Sequence, residues 1–331
     1  MKNYLLLAIA VATLLLSGCS SKEVYKPQVV VDDWDKESGI EDDLIDRAYN
    51  VALLDNRKVL DKDGITDVTI DEDKRVISES NGWIVSASID GNVSVTSKED
   101  VNNTKYIDLK NTIAAASVQD NTLAVLFANN DMALYDLNTK ELLLKEQGNK
   151  SIAVDMKIVN PYFLKDLVIF STLDGKIVIV NATLKKRLRT VIVSSQEQFN
   201  NVVYFNMVDN KIIAATSTKI LSLAQKEIRQ KYEIRSVVDD GKMIYIATKE
   251  GNIISLTPDL QEVNKIKLPF AHILGMISVD DKVYLLEKEE YLIELDKKTF
   301  AYKVYETSFD DGFVFVGDKV FYVDDTKISI E

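Results

Sequence analysis

With 52 acidic against 40 basic side chains, the 331-residue chain carries a net charge of −12. That balance excludes the basic footprint a phosphate backbone needs, and nucleic acid with it as a partner. Apolar residues make up 46% and charged residues 28%, as in folded globular proteins, while one cysteine and one histidine exclude internal disulfides and any Cys- or His-rich metal centre.

The N-terminus reads "MKNYLLLAIAVATLLLSGC": a basic Lys2, an apolar run and small residues before Cys19. The run is too short for a stable membrane span and has the layout of a secretory signal over residues 1–18. Leu16-Ser17-Gly18-Cys19 looks like a bacterial lipobox. Cys19 is therefore the expected lipidation site, carrying fatty-acyl (palmitate) chains whose buried methylenes, at about 0.8 kcal/mol each, make the anchor permanent. Ser20 follows where an Asp would resemble an inner-membrane retention signal, so the expected location is the periplasmic face of the outer membrane. Residues 19–46 are dense in acid, "DDWDKESGIEDDLID" above all, and read as a solvated tether with Trp34 as its one docking candidate.

From residue 47 to the C-terminus the chain reads as one repeating domain. The hairpins "WIVSASIDGNVSVT", "LAVLFANNDMALYD", "LVIFSTLDGKIVIV", "KIIAATSTKILSLA", "MIYIATKEGNIISL", "KVYLLEKEEYLIEL" and "KVFYVDDTKISI" follow one another. Each opens with near-continuous apolar residues, as in strands buried on both faces. Each turns on Asp-Gly, Asn-Asn, Glu-Gly or a similar pair that tolerates positive φ. The turns recur about every forty residues, the length of a four-stranded β-propeller blade. The expectation is an all-β, seven-bladed propeller, with eight blades as the alternative. The last unit stops after three strands. A strand from residues 49–60, "YNVALLDNRKVL" with its flanks, is expected to pair near Lys327–Ile330 and close the ring, a helix across the propeller being the other reading of that stretch.

A lipobox, an acidic leader and blades of this length together resemble the PQQ-like β-propeller lipoproteins of the BamB type, accessories of the outer-membrane β-barrel assembly machine. Those proteins have eight blades and often repeat an Ala/Asp…Thr-Gly…Trp motif. Here no Thr-Gly repeats and only Trp34 and Trp83 are present, so no binding residue carries over. The resemblance implies a non-enzymatic, membrane-anchored scaffold for envelope proteins, monomeric outside its complex. The alternatives are an accessory of a flagellar or respiratory complex, and a ligand-binding or catalytic propeller that uses its central funnel.

Nothing in the sequence assembles a catalytic set. His272 has no histidine partner for a metal and no Gly-x-Ser-x-Gly stretch for a triad. Two tryptophans are too few for a quinone-binding propeller, and "DKDG" (61–64) and "DEDK" (71–74) lack the spacing of a calcium loop. No cofactor and no metal site is expected. Two features point to partners or modification. Lys185, Lys186, Arg187 and Arg189 form a basic run on an acidic chain, expected on an outer strand where it would meet an acidic surface or shield the edge. Asn92 and Asn102 sit in Asp-x-Asn-x-Ser/Thr sequons that resemble bacterial periplasmic N-glycosylation sites, Asn102 being the more loop-like acceptor.

Overall fold

The computed structural model describes residues 23–151 and 153–330, so the signal segment and Cys19 lie outside the described residues. Within them the strands sort into eight four-stranded antiparallel sheets. Blades 1–7 span residues 44–69, 74–108, 113–146, 162–192, 204–231, 234–267 and 273–306. Blade 8 takes three strands from residues 314–329 and its fourth from Glu37–Gly39. In each of blades 1–7 the strands follow in chain order from the inner to the outer edge.

The seven-blade expectation is thus corrected to eight. Residues 49–60 do not close the ring: Val51–Leu54 and Lys58–Asp61 are the second and third strands of blade 1, and every residue of the former is buried. The turn that joins them, Asp55-Asn56-Arg57, has no glycine. Arg57 adopts a left-handed φ of 68° and the Asn56 side-chain carbonyl accepts the Lys58 N–H at 2.8 Å. The Arg57 guanidinium then donates to the carbonyls of Asp71 and Lys74, which ties the turn to the start of blade 2.

The apolar runs are explained by where the core sits. Instead of one centre there are eight apolar clusters, each straddling two neighbouring blades: Val51, Val59 and Ile84 between blades 1 and 2, for example, and Leu60, Phe315 and Tyr322 between blades 8 and 1. The two central strands of a blade lie between both neighbours and bury both faces, which removes the polar alternation of a one-sided sheet. Repetition also frees a long chain from the size limit of a single core.

Closure begins upstream of blade 1 and corrects the tether reading. Tyr25 is 3% exposed and packs edge-on to Tyr291, with ring centroids 5.8 Å apart. The chain then lies along the outer strand of blade 7: the Val31 N–H donates to the Val304 carbonyl at 2.8 Å, and that of Trp34 to the Glu306 carbonyl at 2.7 Å. Crossing to blade 8, it pairs Glu37 with Ile328, Ser38 with Lys327 and Gly39 with Thr326. Trp34 joins the two blades, meeting Tyr305 and Tyr284 edge to face with ring centroids 5.1 Å and 6.2 Å away while its Nε1–H donates to the Ser329 carbonyl at 2.9 Å. The segment covers an outer edge that would otherwise invite pairing.

Candidate functional site: the central funnel

The inner strands of blades 1, 5, 6, 7 and 8 converge on a cavity of about 460 Å³. The inner strand of blade 4, Tyr162–Leu164, takes no part in its wall. The connection that precedes it supplies Met156 and Lys157 to the wall instead. Asn201, fully buried, holds that connection. Its Nδ2 donates to the Lys157 carbonyl at 2.8 Å and the Asp155 carbonyl at 3.3 Å, and its Oδ1 accepts the Asp155 N–H at 2.6 Å. A second clamp runs from Asn160 to Asn50 at 2.8 Å and on to the Glu79 carbonyl at 2.7 Å.

Four cations line the cavity: Arg47 from the inner strand of blade 1, Lys62 from a blade 1 turn, Lys157, and Arg235 from the inner strand of blade 6. The lining carboxylates are Asp239 and Asp318. Asp239 is occupied by the Tyr204 hydroxyl, by Asn206 Nδ2 at 2.7 Å and by the Gly241 N–H at 2.8 Å. Arg47 donates to the Val314 carbonyl, and burial pulls its basicity below the usual guanidinium range. Burial lowers the Lys157 pKa, and Arg47 and Arg235 lower it further against the opposing pull of Asp155. Arg235, also pulled down by burial, donates to His272 Nε2. Arg235 Nε is enclosed and has no hydrogen-bond partner among the described residues. Tyr49, beside Phe205 and Asp239, is pushed up to about 12, chiefly by burial.

The residues singled out in the sequence do not converge here. His272 immediately precedes the inner strand of blade 7. Its backbone N–H donates at 2.7 Å to Glu287, a fully buried carboxylate whose pKa is raised by burial. Lys186, Arg187 and Arg189 lie on the exposed outer strand of blade 4, with Lys185 in the turn before it. Arg189 pairs with Glu227 of blade 5 at 2.6 Å and Arg187 with Glu146 of blade 3 at 3.5 Å, so part of the run links neighbouring rims. Asn92 opens the third strand of blade 2, and Asn102 lies in the loop before that blade's outer strand; both are exposed. "DKDG" is a hairpin turn in which Asp61 Oδ1 accepts the N–H groups of Asp63 at 2.9 Å and Gly64 at 3.1 Å. No group of three or more His, Cys, Asp or Glu side chains placed to hold a metal occurs among the described residues. The funnel cations escaped sequence reading because they come from four separate stretches. The legible trace was a charged side chain set between apolar residues of an inner strand, as Arg235 is in "IRSVVD".

This architecture is that of a BamB-like β-propeller. BamB from Moraxella catarrhalis superposes with a TM-score of 0.67 at 10% identity, covering 88% of this chain and 97% of that one. The computationally designed Ika8 protein superposes with a TM-score of 0.63 at 13% identity, covering 91% and 99%. In sequence the chain is similar to plasminogen-binding protein PgbB of Helicobacter pylori. Identity is 26% over 378 aligned positions, covering 99% of this chain and 70% of PgbB from strain J99, and 69% of its counterpart from strain 26695. No sequence-family profile matches the chain.

Proposed function

We propose that the protein is a non-enzymatic scaffold, anchored through Cys19 to the periplasmic face of the outer membrane, where it binds other envelope proteins and assists outer-membrane protein assembly in the manner of BamB. The observation that carries this reading is the closed BamB-like ring, whose rigid faces and rim suit the binding of extended protein segments. Similarity over nearly the whole chain to proteins named for binding another protein, plasminogen, supports it. The basic outer strand of blade 4 is the proposed contact, with Lys185 and Lys186 offered to an acidic partner.

Docking of the chain from Tyr25 onward bears on the anchor. The few residues from Cys19 to Tyr25 span at most about 20 Å when extended. An acylated Cys19 would hold the rim of blade 7 close to the bilayer, with the face of the ring at a steep angle to it. In a host with an acidic-sequon oligosaccharyltransferase, Asn102 and then Asn92 are the proposed acceptors, away from that rim.

The test is affinity purification of the full-length protein from its own membranes after mild crosslinking. Recovery of a barrel-assembly subunit is the expected result. A flagellar or respiratory subunit would retain the scaffold and reassign its machine. Recovery of no envelope protein would remove the proposal.

A further inference from the structure

In an acidic chain, an enclosed cation ordinarily finds a carboxylate, because an unpaired buried charge is costly. The funnel departs from that rule. None of the ion pairs within 4 Å among the described residues engages Arg47, Lys157 or Arg235, although carboxylates outnumber cations in the chain. Asp155 attracts both Arg47 and Lys157 but offsets their burial only in part. Asp239 is saturated by Tyr204, Asn206 and Gly241, and Asp155 accepts the Lys157 backbone N–H at 3.0 Å. Asp318 lines the cavity beside Lys62, whose carbonyl accepts the Asp318 N–H at 3.2 Å.

The cations are also held in place. Asn201 clamps the backbone on both sides of Lys157, Val314 receives Arg47, and His272 receives one arm of Arg235 while Nε remains unpartnered. Positions fixed in this way leave no reorganisation to pay for when an anion arrives. Met276, Ile277 and Phe315, on the strands of blades 7 and 8, form the apolar part of a wall that also carries Asn206, Ser236 and Ser278. A volume of about 460 Å³ is in the range of small-molecule sites.

We propose that the funnel binds a carboxylate-bearing small molecule or peptide terminus, its carboxylate on Arg47, Lys157 and Arg235 and its apolar body against Met276, Ile277 and Phe315. Guanidinium forks match a carboxylate in geometry as well as charge. The site is independent of whichever protein meets the rim.

The experiment titrates the purified full-length protein by calorimetry with two acid–amide pairs: hexanoate with hexanamide, and N-acetylphenylalanine with its amide. Expected is binding of at least one acid with Kd below about 1 mM at low salt, tenfold or more tighter than its amide, and weakening as salt screens the cations. Preference for hexanoate identifies a free organic acid; preference for N-acetylphenylalanine identifies a peptide terminus. Lys157→Met and Arg235→Gln should each weaken the acid at least tenfold, while Lys157→Arg retains it. All variants are compared at unchanged melting temperature, so that a folding defect is not read as lost binding. Equal affinity for acid and amide, no binding of either acid at 10-fold above that Kd, or full affinity in both Lys157→Met and Arg235→Gln would overturn the proposal.

Discussion

Replacing Trp34 by Ala tests ring closure, because this side chain joins blades 7 and 8 from a strand that neither blade's own hairpins supply. Truncating a fully buried Trp costs about 3–5 kcal/mol. Trp34 is half-buried, which scales that to about 2 kcal/mol. Loss of the Nε1–H bond to Ser329 adds about 1 kcal/mol, since the freed carbonyl lies near solvent. Unfolding entropy near 2.1 cal/mol/K per residue gives about 0.6 kcal/mol/K for a domain of this length. The expected loss is therefore about 3–5 °C in melting temperature by scanning calorimetry. Trp34→Phe keeps the ring against Tyr284 and Tyr305 and should lose only about a third of that. Trp34 and Trp83 are the only tryptophans, so in a Trp83→Phe background the emission of Trp34 reports whether the closing strand leaves the blade before the rest unfolds. A Trp34→Ala protein that melted within 1 °C of the parent would refute closure by residues 31–40.

Lys140 occupies a left-handed position at φ 62° in an exposed turn, where a side chain is strained by about 1 kcal/mol; Lys140→Gly should raise the melting temperature by about 1–2 °C, and a decrease would contradict the turn geometry. Stability should also depend on pH in a signed way. Glu37, Glu287 and Asp324 have pKa values raised by burial, so the folded state binds their protons more tightly and gains stability as pH falls through those values. Asp174 is also pushed up by burial, but Lys176, Thr172 and Asn130 outweigh that and lower it, so its contribution is present above about pH 4 and lost below. The melting temperature should accordingly be higher near pH 5 than at pH 8 and fall again below about pH 4; a monotonic rise with pH would contradict this balance. If Cys19 anchors the chain, a fluorophore at Lys303→Cys on blade 7 should be quenched by lipid-borne quenchers more than one at Glu141→Cys on blade 3, and equal quenching would exclude a short anchor.

The blade pattern was legible wherever a hairpin carried Asp-Gly, Glu-Gly or Asn-Asn between apolar runs. Blade 1 was missed because its central strands, Val51–Leu54 and Lys58–Asp61, were read as the closing strand, and its turn at Arg57 has no glycine to mark a hairpin. The same device, a non-glycine residue at left-handed φ, recurs in two later turns. Asp136 accepts the N–H of Thr139 at 2.7 Å and Asp296 that of Thr299 at 2.8 Å. Lys140 and Phe300 then stand in the glycine position at φ 62° and 59°. The closing strand, Glu-Ser-Gly, is three polar residues long and has no apolar pattern to read. Its place is set by backbone pairing and by Trp34 beside it. The funnel is legible only after folding, since Arg47, Lys157 and Arg235 are distant in sequence and nothing in the local pattern relates them.

The central claim is that the ring binds an envelope protein. Its most direct test places a photoreactive residue at Lys186 on the blade 4 rim, at Asn102 on the blade 2 loop and at Lys298 on the opposite side, and irradiates living cells. A discrete adduct with one envelope protein is expected from at least one of these positions, with Lys186 the strongest. Membrane-associated protein that yields no protein adduct from any of them would contradict it.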